Sequence, residues 1–113
     1  MAPSLAASTW IREVEPLKKL GVKVGAPAVT GSPAGMTWLQ NFFINCKVKC
    51  TPDFLPVHWY GPFQGLASHI GQVTGTYTNI SEFWVTEYAL AHASLKESED
   101  FYNQSATLLD RWE

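Results

Sequence analysis

The sequence of 113 residues has two cysteines, no run of like charge and no long apolar segment. Its longest uncharged stretches are broken by Gly, Pro and polar residues. None approaches the roughly 20 apolar residues that cross a bilayer, so no membrane span is expected. Eight Lys plus Arg against ten Asp plus Glu leave a formal charge of -2. That offers no electrostatic footprint for nucleic acid or an anionic membrane, and a neutral or weakly charged partner fits better. The first seven residues, Met1 to Ala7, lack the charged start and apolar centre of a secretory signal, so no signal peptide is read in this chain. Gly-x-Gly-x-x-Gly, phosphate-loop and Gly-x-Ser-x-Gly patterns are absent, which leaves nucleotide binding and serine hydrolysis without local support.

Cys46 and Cys50 form a Cys-x3-Cys pair, neither a redox Cys-x-x-Cys nor half of a zinc site. A short disulfide is the first reading and two free thiols the alternative. His69 and His92 have no ligand spacing to each other or to the cysteines, so no metal and no cofactor are expected. Asn79-Ile80-Ser81 and Asn103-Gln104-Ser105 match the N-glycosylation pattern, which chance also produces often.

What is present is apolar and aromatic: 46% hydrophobic residues, enough for the core of one domain, and five Trp. Flat aromatic faces line carbohydrate or peptide grooves, though most belong to cores. From Leu5 to Leu20, Trp10, Ile11, Val14, Leu17 and Leu20 recur at helical spacing, and Gly21 ends the run. Val22–Ala26 reads as a short strand, 27–35 as a loop, and about Thr37–Cys46 as a helix with Trp38, Leu39, Phe42 and Phe43 inward. Asp53–Tyr60 is a second strand, with Pro56 an objection to a central place in a sheet. A helix with Leu66, Ile70, Val73 and Tyr77 inward, the strand Phe83–Tyr88, and a last helix from about Ser98 with Phe101, Leu108, Leu109 and Trp112 complete the order α-β-α-β-α-β-α. Strand starts lie about 30 residues apart, the length of one βα unit. Such alternation implies an α/β fold with parallel strands, either an open doubly wound sheet or part of a barrel.

In both architectures ligands sit at the C-terminal ends of the strands, where His58, Tyr60 and Glu87 fall. Alternation puts His58 and Tyr60 on one face and Trp59 on the other. It pairs Glu87 with Val85 and opposes both to Trp84 and Thr86, so that Trp84 packs under helices if Glu87 faces a ligand. Taken singly, a Glu past a strand end is commonly a solvated or capping residue and a lone His a structural one; their co-location raises the functional reading. A glycosidase needs two carboxylates, about 5 Å apart for retention, and only Glu87 is well placed.

Six segments in order are Glu15-Pro16-Leu17 with Gly21 to Thr30, Trp38-Leu39-Gln40-Asn41-Phe42, Cys46 with Cys50, Asp53-Phe54-Leu55, Val57-His58-Trp59-Tyr60-Gly61, and Trp84-Val85-Thr86-Glu87-Tyr88-Ala89. Together they resemble the fungal β-1,3-glucanases of glycoside hydrolase family 128, which include the alkali-sensitive linkage proteins of cell walls. The resemblance covers nearly the whole chain. It implies part of a (β/α)8 barrel, about three of eight units in one partial domain over residues 1–113, with Glu87 as the nucleophile of a retaining mechanism and His58 and Tyr60 lining the subsite for the glucosyl unit. It implies β-glucan as partner and a place outside the cell or in the cell wall. The family's acid/base Glu stands in an Asn-Glu-Pro pattern, which these residues lack; Glu15-Pro16 follows Val14 rather than Asn.

The leading expectation is therefore a truncated member of a glucan-hydrolysing family with little or no activity alone. A non-catalytic β-glucan-binding or wall-associated protein is the alternative. A third reading is an unrelated small α/β interaction domain in which Glu87 is structural. A three-stranded slice also exposes sheet edges, so self-association is expected.

Overall fold

Two prolines divide the first part of the chain. In the computed structural model, which describes residues 1–111, α1 (Pro3–Glu13) starts with a proline where the missing N–H is harmless. The apolar spacing predicts one helix to Leu20, but Pro16 has no N–H to give to the preceding turn and its ring crowds that turn. The chain leaves α-geometry at Val14 and continues as a 3-10 helix, Glu15–Leu20, capped by Gly21 at φ 78°. Leu17 and Leu20, expected inside, are exposed; Ala6, Ala7 and Trp10 carry the buried face.

α2 (Pro33–Cys46) begins earlier than the apolar spacing indicates, because Ser32 caps it by accepting from the Gly35 amide at 3.2 Å, with proline at the first helical position. Leu39 and Phe42 are buried, with Trp38 and Phe43 packed against them. The helix ends in two left-handed residues, Lys47 and Val48, and a Cys46–Cys50 disulfide closes that turn.

β1 (Phe54–Tyr60) and β2 (Glu82–Ala89) form a parallel pair, joined by α3 (Phe63–Thr76); α4 (Leu95–Arg111) follows. Leu55 and Val57 turn to one face, where Leu66, Ile70 and Val73 of α3 and Phe101 of α4 complete the core. Trp112, which the spacing assigns to the last helix, lies outside the described residues.

The segment expected as the first strand contributes one parallel bridge, Gly25 to Phe54, supported by Ala26 N donating to Phe54 O at 3.0 Å and Val24 N donating to Asp53 Oδ2 at 2.9 Å. To continue this parallel ladder, the amide of residue 56 would have to donate back to Ala26, and Pro56 has none. The observed order is thus α, 3-10, α, β, α, β, α, with the bridge in the place of the expected first strand. Gly25 is required there: a Cβ would come within 2.7 Å of the Phe54 ring.

Two glycines of α3 make opposite predictions. Glycine in a helix interior costs about 1 kcal/mol against alanine, and nothing lies within 4 Å of a Cβ at Gly71. Gly71→Ala is expected to raise the unfolding midpoint. A Cβ at Gly65 overlaps the Trp59 ring, so Gly65→Ala is expected to lower it. Thermal unfolding of the two variants checks both signs.

Candidate functional site

Because β1 and β2 run parallel, their C-terminal ends lie side by side, and the side chains emerging there share one surface. Tyr60 Oη donates to Glu87 Oε2 at 2.7 Å, and His58 Nδ1 stands 3.6 Å from the same oxygen. The other imidazole nitrogen, Nε2, is 3.0 Å from Thr86 Oγ1. The structure thus brings His58, Tyr60 and Glu87 together and adds Thr86. The hydrogen bond to Glu87, with lesser contributions from desolvation and the carboxylate charge, holds the Tyr60 phenol above the ordinary tyrosine range. It therefore stays protonated at neutral pH, as a donor. The surface is open, with Tyr60 59% exposed.

Thr86 is the residue that alternation missed. Strict alternation opposes Thr86 to Glu87, but the register jumps from Val57 opposite Val85 to His58 opposite Glu87. Thr86 is the extra residue of a β-bulge, and both it and Glu87 reach the His58 face. The same jump corrects Trp84. It does not pack under helices: it is 44% exposed and stacks on Phe54, with ring centroids 3.9 Å apart, on the face shared with His58 and Tyr60. No composition signal marks a bulge; the sole hint was that both Trp84 and Glu87 could not face the ligand under an alternation the bulge relaxes.

Trp59 lies on the face opposite His58 and Tyr60, as expected, and packs against α3. It stacks on His69 with centroids 5.2 Å apart and donates to Pro62 O at 3.1 Å, fixing the turn that follows Tyr60. His69 is buried, and burial lowers its imidazole pKa; its Nδ1 has no partner among the described residues. His92 adopts a left-handed conformation between β2 and α4. Among the described residues no three His, Cys, Asp or Glu side chains group to hold a metal. A cavity of about 640 Å³, lined by Val57, Ile70, Thr74, Glu82, Trp84 and Leu109 among others, contains none of His58, Tyr60 and Glu87.

The arrangement supplies one carboxylate oriented by a phenol and an imidazole on an open aromatic surface. The other carboxylates with partners among the described residues are engaged elsewhere: Glu82 with Lys23, Glu97 with Ser94, Asp100 with Lys96, Glu15 with Thr51, Asp53 with the Val24 amide and Glu13 with Arg12.

Residues 1–113 match the glycosyl hydrolase catalytic core family. No curated protein sequence matches the chain. Among solved structures, it is similar to a family 128 (subgroup IV) endo-β-1,3-glucanase from Lentinula edodes, at 28% identity and TM-score 0.87 over 100% of this chain and 45% of that one. A subgroup III curdlan-specific exo-β-1,3-glucanase from Blastomyces gilchristii, in complex with glucose, matches at 28% identity and TM-score 0.88 over 99% of this chain and 50% of that one. A subgroup II endo-β-1,3-glucanase from Pseudomonas viridiflava matches at 27% and 0.80 over 100% and 49%. The chain spans about half the length of each. The fold is accordingly that of a partial (β/α) barrel, and the chain belongs to the glycosyl hydrolase catalytic core family, with glycoside hydrolase family 128 as its structural kin.

Proposed function

We propose that this chain carries the nucleophile half of a retaining β-1,3-glucan glycosidase, with Glu87 as nucleophile and His58 and Tyr60 holding the glucosyl unit. One observation carries the reading: the Glu87 carboxylate at a strand end, its Oε2 fixed by the Tyr60 hydroxyl at 2.7 Å. A nucleophile in this chemistry must be aimed, and a neutral phenol donor aims it without adding charge. Alone, the chain cleaves glucan slowly or not at all, because the leaving oxygen has no general acid here: the Asn-Glu-Pro pattern does not occur in these residues. General acid–base help is typically worth about 100- to 10,000-fold.

The Cys46–Cys50 disulfide fits an oxidising place outside the cell, such as a cell wall. The free side of β2, beside the exposed Trp84, is where copies would associate.

The alternative, a non-catalytic glucan binder, draws on the exposure of Tyr60, whose ring is free to meet a sugar. Release of reducing ends from β-1,3-glucan, with a glucan-binding assay, tests both. The expected result is saturable binding that survives Glu87→Gln and weakens in Tyr60→Ala, with hydrolysis at least about 100-fold below that of a two-carboxylate relative. Rapid hydrolysis abolished by Glu87→Gln would show that the chain is an enzyme alone. Absence of binding in every variant would overturn the alternative of a glucan binder.

A further inference from the structure

The bulge leaves Thr86 without a register partner, yet its hydroxyl is 3.0 Å from His58 Nε2. For a neutral His58, two assignments of that contact exist. If Nε2 carries the proton and donates to Thr86 Oγ1, neutral His58 presents a bare nitrogen lone pair at Nδ1 toward Glu87 Oε2, 3.6 Å away, and the two repel. If the Thr86 hydroxyl donates to Nε2, the proton sits on Nδ1 and faces the carboxylate favourably. The hydrogen bond made by one imidazole nitrogen sets the state of the other, and here only the second assignment satisfies both neighbours.

We propose that the Glu87 carboxylate selects the Nδ1–H tautomer of His58 and that Thr86 is a positioning residue whose hydroxyl, donating to the bare Nε2, holds that ring toward Oε2, the oxygen that already accepts from Tyr60. Both contacts fall on Oε2, and among the described residues no hydrogen bond reaches Oε1. Oε1 is then the oxygen left to form the bond to the sugar, a consequence that rests on the reading of Glu87 as nucleophile. The bulge is what makes this arrangement available: without the extra residue, strict alternation would send the Thr86 hydroxyl to the opposite face from Glu87, and His58 could not meet both.

Thr86 is exposed, so substitution there spares the core. Valine replaces the hydroxyl by a methyl group of similar shape, and serine keeps the hydroxyl. The test is nitrogen-15 NMR of the His58 imidazole in wild type, Thr86→Val and Thr86→Ser, at a pH well above the ordinary imidazole value of about 6.5. Expected is a proton-bearing Nδ1 and a bare, hydrogen-bonded Nε2 in wild type and in Thr86→Ser, with Nδ1 still protonated in Thr86→Val and the Nε2 resonance shifted downfield by loss of its hydrogen bond. A wild-type His58 protonated at Nε2, or an Nε2 resonance unchanged in Thr86→Val, overturns the proposal. The readout needs no turnover, so the nucleophile reading is judged separately, by whether Glu87 takes a glycosyl label. An Nε2 hydrogen bond lost in Thr86→Val, in a protein that takes no label, upholds Thr86 and removes Glu87 from catalysis.

Discussion

A β-glucoside carrying a good aryl leaving group is expected to deposit one glucosyl unit on this chain, on Glu87, and Glu87→Gln is expected to carry none. In a retaining mechanism the general acid protonates the departing oxygen, and the nucleophile needs no such help when a weakly basic phenolate departs unaided. The first step therefore asks only for what the structure supplies: a carboxylate at a strand end, fixed through Oε2 by Tyr60, facing open solvent where a sugar can enter. The second step needs a base to activate water, and the residue that donates the proton in the first step is the base in the second. A chain with the nucleophile but not its partner accumulates the covalent intermediate. Intact-mass measurement reads the added glucosyl unit, and peptide mapping places it on the segment from Phe83 to Ala89. A natural glucan, whose alkoxide departs with difficulty, should label at a rate lower by about 100- to 10,000-fold. A wild-type chain that stays unlabelled at saturating activated substrate would sink the nucleophile reading.

Strand ends were the legible part of this site, and the bulge was not. His58 and Tyr60 share a face because the period of a strand is two, and parallel pairing is forced by the helix between β1 and β2, so three candidate residues could be placed at strand ends from spacing alone. Thr86 and Trp84 escaped because one inserted residue shifts everything on one side of it by one position, and an insertion in a strand of otherwise ordinary residues has no compositional mark. The misplaced first strand and the overlong first helix have a different cause. Pro16 and Pro56 each remove one backbone donor, and apolar periodicity does not register the loss. Pro56 was recognisable as an objection to a central strand; its effect was to end the pairing of its neighbour after a single bridge.

Phe42→Ala is expected to cost about 3–5 kcal/mol, the usual range for a buried Phe reduced to Ala. Phe42 is fully buried and sits among three rings: Trp10 meets it edge-on at 6.4 Å, Trp38 stacks at 5.9 Å and Phe43 packs at 5.2 Å. The void cannot close easily, because Trp10 is tied to the Gly25 carbonyl through Nε1 at 3.1 Å and the end of α2 is tied down by the disulfide. Domains of ordinary size are stable by only about 5–15 kcal/mol, so this one change removes a large share of the total. At a chain length near 100 residues each kcal/mol moves the midpoint by about 4–8 °C, and a fall of at least about 12 °C is expected by calorimetry. A loss below about 1 kcal/mol would show that α1 and α2 do not form the packed unit described here. The site residues behave differently. Tyr60, Thr86 and Glu87 lie on the open face, outside the buried core. Exposed substitutions away from caps and cores usually stay within about 0.5 kcal/mol. Glu87→Gln, Tyr60→Ala and Thr86→Val therefore report on chemistry with the fold intact, whereas Phe42→Ala tests the scaffold that holds the two strand ends together.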